Sequence, residues 1–171
     1  MVGGPSSSER YDVAVLGGGL AGLTLALQLR RARPETSVLV AEKRVGPAPL
    51  AAFKVGESTV DVSSHYFGEI LGLWDHMEEK HVYKAGLRFF FPAGGNEDIA
   101  RRVEFGPTTI PLPIPAYQLD RGLFENELAA RNRAAGVEVV DGCVVEGVDL
   151  DEHGHSVHLI RAGEPRTVNA R

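Results

Sequence analysis

Tyr11-Asp-Val-Ala-Val-Leu-Gly-Gly-Gly-Leu-Ala-Gly22 opens on an apolar, β-branched run and closes on a cluster of glycines. The run favours an extended chain, the glycines interrupt it, and Leu20, Leu23 and Leu27 then recur at helical spacing towards Arg33. Strand, tight turn and helix follow one another. Pro34 stops the helix, and Ser37 to Ala41 (SVLVA) reads as a second buried strand running into Glu42. Two strands joined by a crossover helix must be parallel, so Tyr11 to Glu42 reads as a βαβ unit.

The turn Gly17-Gly18-Gly19-Leu20-Ala21-Gly22 fits G-x-G-x-x-G, a weak pattern by itself. Its surroundings strengthen it: a strand precedes, a helix follows, and Glu42 lies 20 residues after Gly22 at the end of the next strand. Gly17 permits the sharp turn, Gly19 lets a pyrophosphate approach the backbone, and Gly22 lets helix and strand pack closely. At Leu20 and Ala21 the helix N-terminus offers unpaired N–H groups to the phosphates. Glu42 suits the ribose hydroxyls and disfavours a 2′-phosphate. Lys43 and Arg44 follow it, and Arg44 either reaches phosphate or is a surface cation. The alternative for the whole stretch is a glycine-rich turn with no ligand.

A simple NAD domain places a third parallel strand within roughly 30 residues of the second. Here the next such run, Gly136 to Val140 (GVEVV), waits until after the excursion from Lys43 to Ala135. An insertion of that length builds a second layer over the nucleotide, which suits FAD, whose reactive ring projects away from the nucleotide domain.

Within the excursion, apolar residues at three- and four-residue steps (Phe67, Ile70, Leu71, Trp74) predict a helix over Val62–Met77. Tyr83 to Phe91 (YKAGLRFFF) predicts a strand, and the proline-rich stretch Pro92–Tyr117 predicts loops and edge strands. Asp120 caps a helix through Ala135 that Gly136 closes. Val137–Val140, Cys143–Leu150, Ser156–Ile160 and Thr167–Asn169 are short strands. The organisation expected is a disordered lead over 1–10, the βαβ unit over 11–53, a flavin loop and substrate-layer insertion over 54–117, and a return to the FAD domain over 118–171.

At 171 residues the chain suffices for one ordinary domain, most of which run to about 100–150 residues. Its net charge of −5 and scattered basic residues favour neither nucleic acid nor an anionic membrane surface, so the partner expected is a small molecule. Cys143 is the only cysteine; it excludes an internal disulfide, points to a reducing cytoplasm, and reads as a buried strand residue rather than a nucleophile. The lead lacks the apolar core of a secretion signal, and no run approaches the ~18 apolar residues of a membrane span, so a soluble protein is expected.

Taken together, GGGLAG with Glu42, VGESTV at Val55–Val60, YKAGLRFFF, and YQLDRGLFENEL before GVEVV resemble the flavin-dependent halogenases and their relatives among single-component FAD monooxygenases. The resemblance covers roughly Tyr11 to Leu150. In that family a G-E-[SA]-T-x-P loop runs beside the flavin, and Gly56, Glu57, Ser58 and Thr59 match it in order, with Asp61 where the family usually shows Pro. The alternative for Glu57 is a helix cap. The resemblance further assigns Lys84 as the catalytic lysine that meets hypohalous acid and delivers an electrophilic halogen. In one continuous strand Lys84, Gly86, Arg88 and Phe90 would share a face, and a solvated cationic stripe is the alternative. Gln118 and Arg121 fall where relatives place a flavin-contacting polar residue and the start of a helix, Gln118 being otherwise a turn residue beside the cap.

The fold class expected is α/β: a Rossmann-like FAD-binding βαβ domain with inserted substrate-layer strands and a β-meander, truncated before its C-terminal part. The family's second flavin motif and its W-x-W-x-I-P signature would lie beyond Arg171, so the resemblance implies the front part of a larger enzyme, with little catalysis by this portion alone. The implied chemistry is reduced flavin reacting with oxygen, a flavin peroxide, and hypohalous acid. An aromatic or lipophilic substrate, free or presented on a carrier protein, would be the acceptor; the apolar wall expected for it is Phe89 with Phe90. Halide and a flavin reductase or NAD(P)H would be the other partners. The alternatives are an FAD-dependent aromatic hydroxylase without halide chemistry and a non-catalytic nucleotide-binding module. No metal site is expected, because His153, His155 and His158 read as a solvated hairpin.

Overall fold

The computed structural model describes residues 9–51, 57–92, 94, 97–105 and 114–171. They fall into two compact units, the first within residues 1–54 and 120–171 and the second within 55–119.

The first unit begins with β1 (Glu9–Tyr11), β2 (Val13–Leu16), α1 (Leu20–Ala32) and β3 (Val38–Glu42). The second holds α2 (Asp61–His65), a π-helical turn (Tyr66–Ile70), α3 (Trp74–Lys80), β4 (Val82–Lys84), β5 (Phe89–Phe91), β6 (Val103–Phe105) and β7 (Ala116–Gln118). The chain then returns to the first unit with α4 (Arg121–Ala134), β8 (Glu138–Asp141), β9 (Cys143–Asp151), β10 (Gly154–Arg161) and β11 (Glu164–Ala170).

In the first unit β2, β3 and β8 form a parallel sheet in that order, with Val40 of β3 opposite Val15 on one side and Val139 on the other. All five residues of β3 are buried, which is why its sequence is an unbroken apolar run ending in an acid. A second sheet, ordered β1-β11-β10-β9, holds the meander. Leu39 and Ala41 on one face of β3 cluster with Val140, Cys143, Val157, Leu159 and Val168, so the core lies between the two sheets. Val38 and Val40 are buried on the opposite face of the strand.

Three expectations are corrected here. The lead does not stay irregular to residue 10, because Glu9 and Arg10 pair in parallel with Val168 and Asn169. Nor is Tyr11–Leu16 one strand. Asp12 divides it by binding Ser37: its carboxylate accepts from the Ser37 N–H and hydroxyl, both at 2.8 Å, leaving β1 in the meander sheet and β2 in the parallel one. The last meander strand spans Glu164–Ala170 rather than Thr167–Asn169, since it pairs along its whole length with β10. At this join the Tyr11 hydroxyl lies 2.5 Å from Glu138 and 3.0 Å from Glu9, and burial with these carboxylates pushes the phenol well above its ordinary value. Arg166 binds the same Glu9 and holds its carboxyl below the usual range.

The second unit corrects two more. The helix expected over Val62–Met77 is broken into α2, the π turn and α3 because Trp74 folds back over Gly68, where any Cβ would collide with the indole. The Trp74 ring N–H is fixed by Glu69 at 2.7 Å. The strand expected over Tyr83–Phe91 is two strands: β4 pairs with β7, and β5 pairs with β6. Lys84 and Phe90 therefore share no strand face. Among the described residues no helix is long and apolar enough to cross a membrane.

The start of α4 is stapled to the segment after β3. Asp120 Oδ1 accepts from Gly122 N at 2.8 Å and Leu123 N at 3.1 Å as the N-cap, while Oδ2 accepts from Ala51 N at 2.7 Å. Asn126 accepts from Ala48 N at 2.7 Å and donates to Ala48 O at 2.9 Å. Gly122 meets Pro49 so closely that a Cβ would strike its carbonyl. Asp120→Ala removes both the cap and the tie to Ala51, so the unfolding midpoint in urea should fall by the equivalent of about 2 kcal/mol, with Asp120→Asn recovering most of the loss. An unchanged midpoint would remove the staple from the account.

Candidate functional site

Gly17 turns the chain with φ +120°, a backbone angle open to glycine and strained for side chains. The turn is anchored by Gly17 N donating to Ala41 O at 2.9 Å. At Gly22 a Cβ would strike the Gly17 carbonyl and crowd Val15, so α1 sits as close to β2 as a helix can. The outer face is open by contrast: among the described residues nothing lies within 4 Å of a Cβ placed on Gly17, and at Gly19 the nearest atom is a Glu125 oxygen at 4.0 Å. Gly19 is the N-cap of α1 and, among the described residues, no side chain caps that helix at the N–H groups of Leu20 and Ala21. A pyrophosphate fits this cradle.

Glu42 is buried, and its carboxylate accepts from Gly18 N at 2.6 Å and Arg44 N at 2.7 Å. A carboxylate has about four lone-pair positions, so ribose hydroxyls retain acceptors. Gly18, which the spacing rule leaves as an unspecified position, is dictated by this bond: a Cβ there would stand 2.8 Å from Glu42 Cβ. Glu42 lines two clefts. One, of about 490 Å³, lies towards the meander with Leu16, Gly17, Lys43, Cys143 and Val144 on its walls. The other, of about 450 Å³, lies towards the helices and includes Gly18, Arg44, Asn126, Arg133 and Asp141.

Arg44 and Arg121 converge on one buried carboxylate. Glu125 Oε1 accepts from Arg121 Nη2 at 2.7 Å and Oε2 lies 3.9 Å from Arg44 Nη1. Glu125 gives no sign of its place in the sequence beyond its i,i+4 spacing from Arg121. Two guanidiniums share this one anion beside Gly19, an arrangement that suits phosphate.

The second unit gathers the other candidates. Glu57–Thr59 run antiparallel to β7: Thr59 N donates to Tyr117 O at 2.8 Å, Leu119 N donates to Glu57 O at 2.6 Å, and Ser58 bridges to Gln118. The Thr59 hydroxyl is buried and occupied, accepting from Tyr117 N at 2.6 Å and lying 2.9 Å from both Tyr117 O and the Ser64 hydroxyl. On the other side of β7, Lys84 of β4 sends its ammonium to the Ser58 hydroxyl at 2.8 Å and to the Thr59 carbonyl. Gln118 Nε2 lies 3.5 Å from Glu57 Oε2. Glu57, Ser58, Thr59, Lys84 and Gln118 thus form one cluster; Gly56 lies outside the described residues.

The apolar wall expected at Phe89 and Phe90 is corrected to Phe89, Phe91 and Phe105, which line a cleft of about 490 Å³. Alternate residues of a strand share a face, so Phe90 points away, under the Arg88 guanidinium at 5.2 Å. Cys143 is buried, and burial raises its thiol above the ordinary value, as befits a core residue. His158 is held by Asp149 at 2.7 Å on the meander surface.

A family described as NAD(P)-binding Rossmann-like domain matches residues 15–77. The chain is similar to the flavin-dependent halogenase chlA of Dictyostelium discoideum, 33% identical over 151 residues that cover 84% of this chain and 25% of that protein. Among solved structures, the myxobacterial chondrochloren halogenase CndH, an FAD-dependent halogenase, superposes with a TM-score of 0.75 at 28% identity over 95% of this chain and 36% of its own. The flavin-dependent brominase Bmp2 superposes at 0.72 and 25% identity over 94% of this chain and 36% of its own. The chain spans about a quarter of the curated relative and somewhat over a third of these two structures. With its open glycine cradle and buried acid, the chain resembles the flavin-dependent halogenases over most of its length and has a Rossmann-like, FAD-binding fold.

Proposed function

We propose that this portion serves an oxidoreductase that halogenates an aromatic or lipophilic small molecule, with Lys84 as the residue that receives hypohalous acid. The observation that carries the proposal is the bond from Lys84 to Ser58: a lysine 26 residues downstream reaches the loop that resembles the family's flavin loop. Bound and reduced, FAD supplies the oxygen chemistry that converts halide to hypohalous acid, with electrons from a flavin reductase or NAD(P)H.

The chain's own residues divide the work. Gly17, Gly19 and the start of α1 seat the pyrophosphate, Arg44 and Arg121 flank it, and Glu42 holds the ribose. Lys84 has three N–H donors. Two go to Ser58 and Thr59, which leaves one for the oxygen of an incoming oxidant. The apolar face of Phe89, Phe91 and Phe105 suits an aromatic acceptor.

Glu42→Gln keeps the shape of the side chain and removes its charge, so the dissociation constant for FAD, read by quenching of flavin fluorescence, should rise roughly tenfold or more. Undiminished affinity would displace Glu42 from the ribose. Lys84→Ala should reduce halogenation at least a hundredfold while FAD is retained and its reduction continues, with halogenated product quantified by mass spectrometry. Halogenation surviving in Lys84→Ala would leave the lysine no chemical role, whereas hydroxylated and not halogenated product from the unaltered protein would favour direct hydroxylation.

A further inference from the structure

We infer that Ser58 is a positioning residue that anchors the Lys84 ammonium. This rests on the role proposed above for Lys84 only in what the anchoring is for; the contact itself is independent of it. Lys84 closes β4, whose register sets Lys84 opposite Ala116 and Val82 opposite Gln118. Ser58 bridges to Gln118 from the other side of β7. The lysine therefore reaches over the central strand to an acceptor on the far one, and two groups catch it there: the Ser58 hydroxyl at 2.8 Å and the Thr59 carbonyl.

These two acceptors differ in kind. The Thr59 carbonyl is fixed, because its own N–H and hydroxyl are tied to Tyr117 and to Ser64. Any residue at position 59 would present that carbonyl. The Ser58 oxygen belongs to a side chain, and an alanine at the same position would leave the ammonium with one acceptor and a wider arc of motion about it. A long, flexible side chain held at one point sweeps; held at two it aims. Ser58 is exposed, so truncating it leaves no cavity and does not disturb the loop.

Acylation of lysines by an N-hydroxysuccinimide ester, followed by peptide mass spectrometry, reads the anchor directly, since an amino group held against two acceptors meets the ester less often than one that swings free. Lys80, an exposed lysine of α3, is the internal reference. In Ser58→Ala the rate at Lys84 relative to Lys80 should rise roughly three- to tenfold, the effect of losing one charge-assisted hydrogen bond at a half-exposed site. Ser58→Thr, which retains the hydroxyl, should restore the slow rate, and a merely structural serine would give no such rescue. Equal relative rates in Ser58→Ala and the unaltered protein would overturn the anchor while leaving the Lys84 chemistry standing. A loss of the Lys84 role, seen as halogenation by Lys84→Ala, would leave the changed acylation rate intact.

Discussion

The carbonyl oxygen of Gly17 lies where a side chain on Gly22 would have to be, and the first unit is arranged around that approach. It forces α1 down onto the end of β2, so that the open end of the helix faces the cleft rather than the solvent beside it. The same turn brings Gly18 N within 2.6 Å of Glu42, which joins the first strand's turn to the second strand's last residue. A helix N-terminus and a carboxylate, which attract opposite ligands, are thereby held at a fixed separation. Phosphate at one and ribose hydroxyls at the other is the pairing that satisfies both.

That fixed separation needs support from behind, and α4 provides it. The loop after β3 carries Arg44, whose carbonyl accepts from Gly142 N at 3.1 Å. Asp120, Gly122 and Asn126 bind it at Ala51, Pro49 and Ala48, and Glu125 on the same helix holds Arg44 and Arg121. Glu125 is 1% exposed, and a buried carboxylate is costly unless it is paired. Here two guanidiniums repay the cost and are in return denied the freedom to wander from the glycine turn. The cap, the staple and the charge pair lie within one stretch of seven residues because a helix presents its first two turns to the same neighbour.

The βαβ unit was legible because its signals are local: β-branched residues, glycines at fixed spacing, and an acid at the end of a buried run. The meander was legible in outline, but Gly154–Arg161 and Glu164–Ala170 extend beyond the runs read for them because these two strands pair along the whole of β11, while Glu9–Tyr11 joins the sheet through Val168–Ala170. The helix through Val62–Met77 was misread for a related reason. Apolar spacing is preserved across the π turn, and the local marker of the break before Trp74 is Gly72, which turns the chain with φ +65°. Glu125 and Gly18 were missed because their roles depend on partners distant in sequence, 81 residues for Glu125 and Arg44, 24 for Gly18 and Glu42.

The second unit shows how residues of separate motifs come to share a site without any being adjacent. Tyr117 sits on the middle strand, and both its backbone groups are taken by Thr59, N–H by the hydroxyl and carbonyl by the N–H. On its other side the strand accepts β4, so Glu57–Thr59 and Val82–Lys84 are separated by one strand, about 10 Å from edge to edge. The extended stem of Lys84 carries its ammonium over the middle strand, where the Ser58 side chain, reaching back from the far strand, meets it at 2.8 Å. A shorter side chain would not span it, and an arginine would bring a planar fork where the two acceptors offer one hydroxyl and one carbonyl. The geometry thus asks for lysine at position 84 on grounds of reach, before any chemistry is assigned to it.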